Sequence, residues 1–184
     1  MKAIETKLKG CFILEPTVFE DSRGYFFEAY HEDKMEEILG YKPTFVQDNQ
    51  SNSSYGVIRG LHMQAGEHSQ AKLVRVVEGA VIDVAVDVRP GSETYGQSVA
   101  VELSADNKRQ LFIPRGFLHG FSVISEKATF FYKCDNGYNK ASEDGIHPLD
   151  QDIAIDWQIP SNKMTISDKD LEAQSFTKFK EKNI

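Results

Sequence analysis

The sequence predicts an all-β protein of barrel type with a few short helices on its periphery, and three observations predict it. Short apolar runs alternate with period two rather than 3.6. Six prolines and thirteen glycines punctuate those runs, leaving strands at spacings of roughly 8 to 15 residues, as in β-sandwiches and barrels. Helical patterning is confined to short pieces.

In chain order, "HEDKMEEILG", His31 to Gly40, places Met35, Ile38 and Leu39 on one helical face and ends on a glycine suited to a C-cap. "AKLVRVVEGA" reads as a strand, and Glu78-Gly79 as a tight turn joining it to the next strand in a hairpin. In "AVIDVAVDVR", Ala80 to Arg89, Ile82, Val84, Val86 and Val88 point one way, and Val81, Asp83, Ala85 and Asp87 the other. "GQSVAVELS", "RQLFIP", "GFSVIS" and "ATFFYKCD" follow as further strands. The polar end, "SDKDLEAQSFTKFKEKNI", is expected to begin as a helical turn and then fray.

At 184 residues the chain is expected to form one domain, 1–184. It carries 28 acidic against 21 basic residues without a basic run that could follow a phosphate backbone, which argues against a nucleic-acid partner. No signal-peptide core and no apolar stretch of about 18 residues occurs, so a cytoplasmic protein without a membrane partner is expected. Cys11 and Cys134 are far apart and read as structural thiols.

In an incompletely filled barrel, alternate side chains line the lumen, and polar ones there must be paired or used. "IRGLHMQ" puts Ile58, Gly60, His62 and Gln64 on one face of a strand; Lys72, Val74 and Val76 share a face of the next. Pro114, Gly116 and His119 lie in "FIPRGFLHGF". The spacings Gly56 to His62 and Pro114-x-Gly116-x-x-His119 resemble the two motifs of the cupin superfamily, small β-barrels or jelly rolls that commonly hold a metal. Yet Gln64 stands where the second histidine belongs and Lys72 where the carboxylate belongs. An ammonium has no lone pair for a metal ion and repels it. The same residues suit proton transfer: a histidine as general base, a lysine beside a developing oxyanion, and Tyr132 as a phenolic acid.

"FEDSRGYFFEAY", "QDNQSNSSYGVIRGLHMQ", "QAKLVRVVEGAVIDVAVDVRPGSETYG", "FIPRGFLHGF", "FFYKCDNGYNKASEDGI", "IDWQIP" and "ISDKD" resemble successive blocks of the dTDP-4-dehydrorhamnose 3,5-epimerase family. The resemblance implies a catalytic set of His62 as base, Asp170 as its orienting carboxylate with Asp168 as the neighbouring alternative, Tyr132 as acid and Lys72 near the sugar ketone. It implies substrate contacts at Arg23, Glu28, Gln47, Asp48, Asn49, Arg59, His119, Tyr138, Glu143 and Lys169, with Arg23 on the diphosphate and Tyr138 stacked on thymine. It further implies a dTDP-linked 4-keto-6-deoxy sugar as substrate, no metal or other cofactor, and a homodimer whose N-terminal strand crosses to the partner, carrying Arg23 and Glu28 to the neighbour's site. Relatives that invert only C3 or only C5 share the same core residues, which leaves a narrower activity open. Outside these positions, His31, His68 and His147 sit in polar surroundings and read as solvated, and "HMQAGEHSQ" forms an unusual loop after the base.

Overall fold

The computed structural model describes residues 1–183. The chain opens with β1 (Lys2–Glu5), β2 (Phe12–Glu15), β3 (Val18–Asp21), β4 (Gly24–Phe27), helix α1 (Glu32–Leu39), β5 (Gln47–Ser54) and β6 (Val57–Gln64). It continues through β7 (Lys72–Glu78), β8 (Ala80–Asp87), β9 (Ser98–Ser104), β10 (Gln110–Ile113), β11 (Phe117–Val123) and β12 (Lys127–Cys134). The short strands β13 (Glu143–Gly145) and β14 (Thr165–Ile166) and the helices α2 (Asp168–Leu171) and α3 (Phe176–Asn183) complete the described chain. The protein is thus mostly β with few short helices, as its sequence predicts.

Two sheets carry the fold. One has the order β1-β2-β10-β7-β12-β5 and the other β13-β6-β11-β8-β9, with β14 beside β6, while β3 and β4 pair with each other in a separate ribbon. Val74 and Val76 of the first sheet meet Val81, Ala85 and Phe121 of the second in the apolar layer between them. A second layer covers the other side of β8: Ile82, Val84 and Val86 pack with Trp157, Phe176 and Phe179. Strand β8 is therefore buried on both faces, and its acidic face is an inner one. Asp83 and Asp87 are both fully buried, a placement carboxylates tolerate only when paired. A third cluster sets Met35 of α1 against Leu14, Leu73 and Phe112. Helix α1 ends as expected, at Gly40 in the left-handed region with its N–H on the Glu36 carbonyl.

Two expectations are corrected. Strands β7 and β8 do not form a hairpin: β7 lies between β10 and β12, and β8 between β11 and β9 in the other sheet. The turn chemistry at Glu78-Gly79 specifies a change of direction but not the partner that follows. Gly79 has φ of 76°, and a Cβ there would sit 1.9 Å from the Lys127 carbonyl oxygen, so the corner between the sheets is tight enough to require glycine. The C-terminal stretch does not fray after one turn either. Phe176 and Phe179, one helical turn apart, are 5% and 2% exposed and anchor α3. Ile184 lies outside the described residues.

Candidate active site

Residues of both sheets line a cavity of about 420 Å³, within the range of small-molecule pockets. Asn49, Arg59, His62, Lys72, His119, Tyr132, Lys169 and Asp170 line it, together with Gln50, Ser51, Gly120, Phe121, Phe130 and Ser167. Strand β5 lends Asn49 and Ser51 from one edge, β7 Lys72, β12 Tyr132, and β6 and β11 the two histidines.

The alternation expected along β6 is broken. His62 pairs with His119 but Arg59 pairs with Phe121, so three steps on β6 oppose two on β11. This bulge puts Arg59 and His62 on the cavity, while Ile58 turns to the outer apolar cluster. Ile58 and His62 therefore do not share a face. Gln64 does not line the cavity; its Oε1 accepts from the Asn139 backbone N–H at 2.9 Å.

His62 Nε2 lies 2.7 Å from Asp170 Oδ1, across 108 positions of sequence. Helix α2 makes this approach: the Ser167 side chain caps the Asp170 N–H, and the helix sets a carboxylate that is 5% exposed against a ring that is 33% exposed. Burial opposes ionisation of Asp170, but the hydrogen bond and charge of His62 and the bonds from Gly60 and Ser167 outweigh it and hold the carboxyl below its ordinary range. Asp168 has no such contact with the ring among the described residues.

Lys72 Nζ lies 5.9 Å from the centre of the Tyr132 ring and has no salt bridge among the described residues. Burial pulls the ammonium below its ordinary range, against the opposing fields of Cys134, Asp83 and Glu143. Burial also raises the Tyr132 phenol, Cys134 adds to that, and Arg59 opposes it. His119 Nε2 sits 2.8 Å from Asp83 Oδ1; burial lowers its pKa, Asp83 opposes that, and Lys72 and His62 push the same way as burial. Asp83 was visible in the sequence as a carboxylate alternating along β8, but nothing there indicated its partner. Its Oδ2 is buried without a hydrogen bond among the described residues.

Other expected site residues stand around the mouth. The Tyr138 hydroxyl donates to Glu143 at 3.1 Å, and Glu143 pairs with Lys169 at 2.6 Å. Gln47 Oε1 accepts from the Tyr138 N–H, and its amide donates to Asn49. Asp48 is not among the cavity-lining residues and pairs with Lys133. Arg23, on the β3–β4 ribbon, is exposed and paired with Asp21, and Glu28 pairs with Lys34; neither reaches this cavity. The three histidines expected to be solvated are all partly buried. His31 Nδ1 is enclosed without a hydrogen-bond partner among the described residues, His147 Nδ1 accepts from the Leu149 N–H, and His68 meets Asn139. Among the described residues no three His, Cys, Asp or Glu side chains are grouped to hold a metal ion.

A cavity that offers a paired histidine, a partly buried ammonium and a phenol to one ligand is built for moving protons on carbon, and the class so defined is the isomerases. Residues 5–178 match the family model of dTDP-4-dehydrorhamnose 3,5-epimerase, and the chain belongs to that family. It is 53% identical over 170 residues to the Escherichia coli enzyme of that name, covering 92% of this chain and 91% of the other. The crystal structure of the dTDP-4-dehydrorhamnose 3,5-epimerase from Elizabethkingia anophelis NUHP1 superimposes with a TM-score of 0.94 at 58% identity, covering 100% of this chain and 99% of that one. A Legionella pneumophila epimerase crystallised with dTDP-4-keto-L-rhamnose gives 0.91 at 47% identity, covering 96% and 93%.

Proposed function

We propose that the chain epimerises dTDP-4-dehydro-6-deoxy-D-glucose at C3 and C5, giving dTDP-4-dehydro-L-rhamnose, and that the cavity around His62 is where it does so. The observation that carries the site is the 2.7 Å His62–Asp170 pair opening on the same cavity as Lys72 and Tyr132. Both carbons flank the C4 ketone, so one carbonyl acidifies both C–H bonds. His62 takes the proton as the C–H electrons move into the enolate, and Asp170 stabilises the imidazolium that forms. Negative charge then develops on the C4 oxygen, where the Lys72 ammonium stabilises it. The Tyr132 phenol returns a proton to the opposite face of the ring. Its raised pKa keeps it protonated until a base as strong as an enolate is present. The phenolate is reprotonated by solvent, His62 returns to its neutral form, and the second centre follows. No electrons pass to an acceptor, and the charge that stabilises the enolate comes from Lys72.

For the nucleotide, Tyr138 is the platform for thymine, and Gln47, Asn49, Glu143 and Lys169 hold ribose, base or phosphate beside it. Asp48 belongs to the same group only if Lys133 releases it. Arg59 and His119 border the sugar. We place Arg23 and Glu28 in the partner's site: the chain acts as one cupin-type jelly-roll domain, 1–184, in a cytoplasmic homodimer, with the β3–β4 ribbon crossing between subunits. Phe19, Tyr25 and Phe26 on that ribbon are 62%, 58% and 68% exposed, a surface that calls for cover.

The product tests this reading. NMR of the sugar formed from dTDP-4-keto-6-deoxyglucose is expected to show inversion at both C3 and C5. Inversion at one carbon alone would restrict the chain to a single-centre epimerase, and unchanged substrate would remove the activity altogether.

A further inference from the structure

The loop after His62 has no part in the chemistry above, yet it is tied to the segment that presents Tyr138. His68 closes a 3-10 turn over Gly66–His68, and its Nε2 lies 3.1 Å from Asn139 Nδ2. The other end of the amide fixes the direction of that bond. Asn139 Oδ1 accepts from the backbone N–H groups of Ala141 and Ser142 at 2.9 and 3.2 Å. Its oxygen is therefore committed, and Nδ2 has to be the donor. His68 Nε2 accepts, which requires a neutral ring protonated on Nδ1. Further ties run alongside: Gln64 Oε1 holds the Asn139 N–H at 2.9 Å, Asn136 Nδ2 donates to the Glu67 carbonyl at 2.9 Å, and Gln70 Nε2 donates to the Asn136 carbonyl at 2.8 Å.

We infer that His68 is a positioning residue for nucleotide binding: as a neutral acceptor it fixes Asn139 and, through the adjoining peptide, the presentation of Tyr138 at the cavity mouth. The inference rests on the reading of Tyr138 as the nucleobase platform. Removing the imidazole would leave that Asn139 N–H without its acceptor and break the tie. The ionisable group that pairs with His68 among the described residues is Glu67, 3.6 Å away with its side chain 90% exposed. A carboxylate so exposed is too well solvated to replace the lost bond.

The test measures dTDP affinity by calorimetry at pH 8, with steady-state kinetics, for the wild type and His68→Ala, His68→Gln and Tyr138→Ala. Glutamine places Oε1 close to where imidazole holds Nε2 and accepts the same hydrogen bond. At pH 8, His68→Ala is expected to weaken dTDP binding and raise KM about 3- to 10-fold, the worth of one hydrogen bond, with kcat unchanged. His68→Gln is expected to match the wild type. With Tyr138→Ala weakened, unchanged affinity in His68→Ala, or a His68→Gln variant no better than the alanine, overturns the inference alone. Unchanged affinity in Tyr138→Ala overturns the platform reading and the inference with it.

Discussion

Partly desolvating an ammonium on the wall of a cavity costs folding free energy that a hydrocarbon of similar length would not. Lys72 bears that cost: burial is the largest influence on it, and it lowers the pKa. Because the folded pKa lies below the unfolded one, the unfolded chain binds the proton more tightly, and the penalty applies at neutral pH. Lys72→Met is therefore expected to raise Tm at pH 7 while lowering kcat by about 100-fold or more, as for loss of an oxyanion-stabilising group. A variant less stable than the wild type would mean that the ammonium is satisfied in the fold. Asp170→Asn should lower kcat by about 100- to 10,000-fold, the range for general-base catalysis, with dTDP affinity retained, measured by the same kinetics and calorimetry. At this scale much was legible. His62, Lys72 and Tyr132 stand out as polar residues inside runs of strand-forming ones, and alternation gave Lys72 its face. The bulge in β6 was not legible, because a register shift of one residue is set by the partner strand and leaves no mark on composition. The approach of Asp170 to His62 was reachable only by resemblance, since no local rule joins positions 108 residues apart.

Among the elements, β5 shows where sequence patterning loses its signal. "QDNQSNSS" is polar throughout, yet it pairs with β12 along eight residues. One of its faces looks into a polar cavity and the other toward solvent, so neither has apolar residues to mark it, and the strand is held by its ladder and cross-strand pairs such as Asn52 to Thr129. The opposite holds for β8, where apolar residues and two acids alternate on a strand buried on both sides. The corner at Gly79 is an element-scale property with a sharp consequence. Gly79→Ala adds a Cβ against backbone at a positive φ and is expected to lower unfolding stability by more than about 2 kcal/mol, measured by denaturant unfolding. Helix α3 earns its order from two rings. Phe179→Ala is expected to cost about 3–5 kcal/mol in the same assay, with kcat preserved at low temperature because the helix touches the outer layer and not the cavity.

For the whole molecule, acid stability depends on buried carboxylates that stay ionised. Burial pushes the Asp87 carboxyl up, but Arg89, Ser92 and Thr94 outweigh it and hold its pKa at about 2; Asp170 is also held low. Depressed pKa values give stability that is present above the ordinary carboxylate range and lost as the pH falls through the folded values. Tm is thus expected to drop between about pH 4 and 2. Asp87→Asn should flatten that part of the curve while lowering Tm at pH 7. A wild-type Tm independent of pH over that span would contradict the assignment. The mostly-β character was legible from turn spacing and period-two runs, but the distribution of strands between two sheets was not, because pairing partners are chosen by long-range packing. The central claim, that His62 removes the protons beside the C4 ketone, is tested most directly by solvent isotope exchange. The wild-type enzyme in deuterated water, with dTDP-4-keto-6-deoxyglucose followed by NMR, is expected to place deuterium at both C3 and C5, and His62→Asn at neither. Undiminished exchange in the His62→Asn variant, or no exchange in an active wild type, would contradict it.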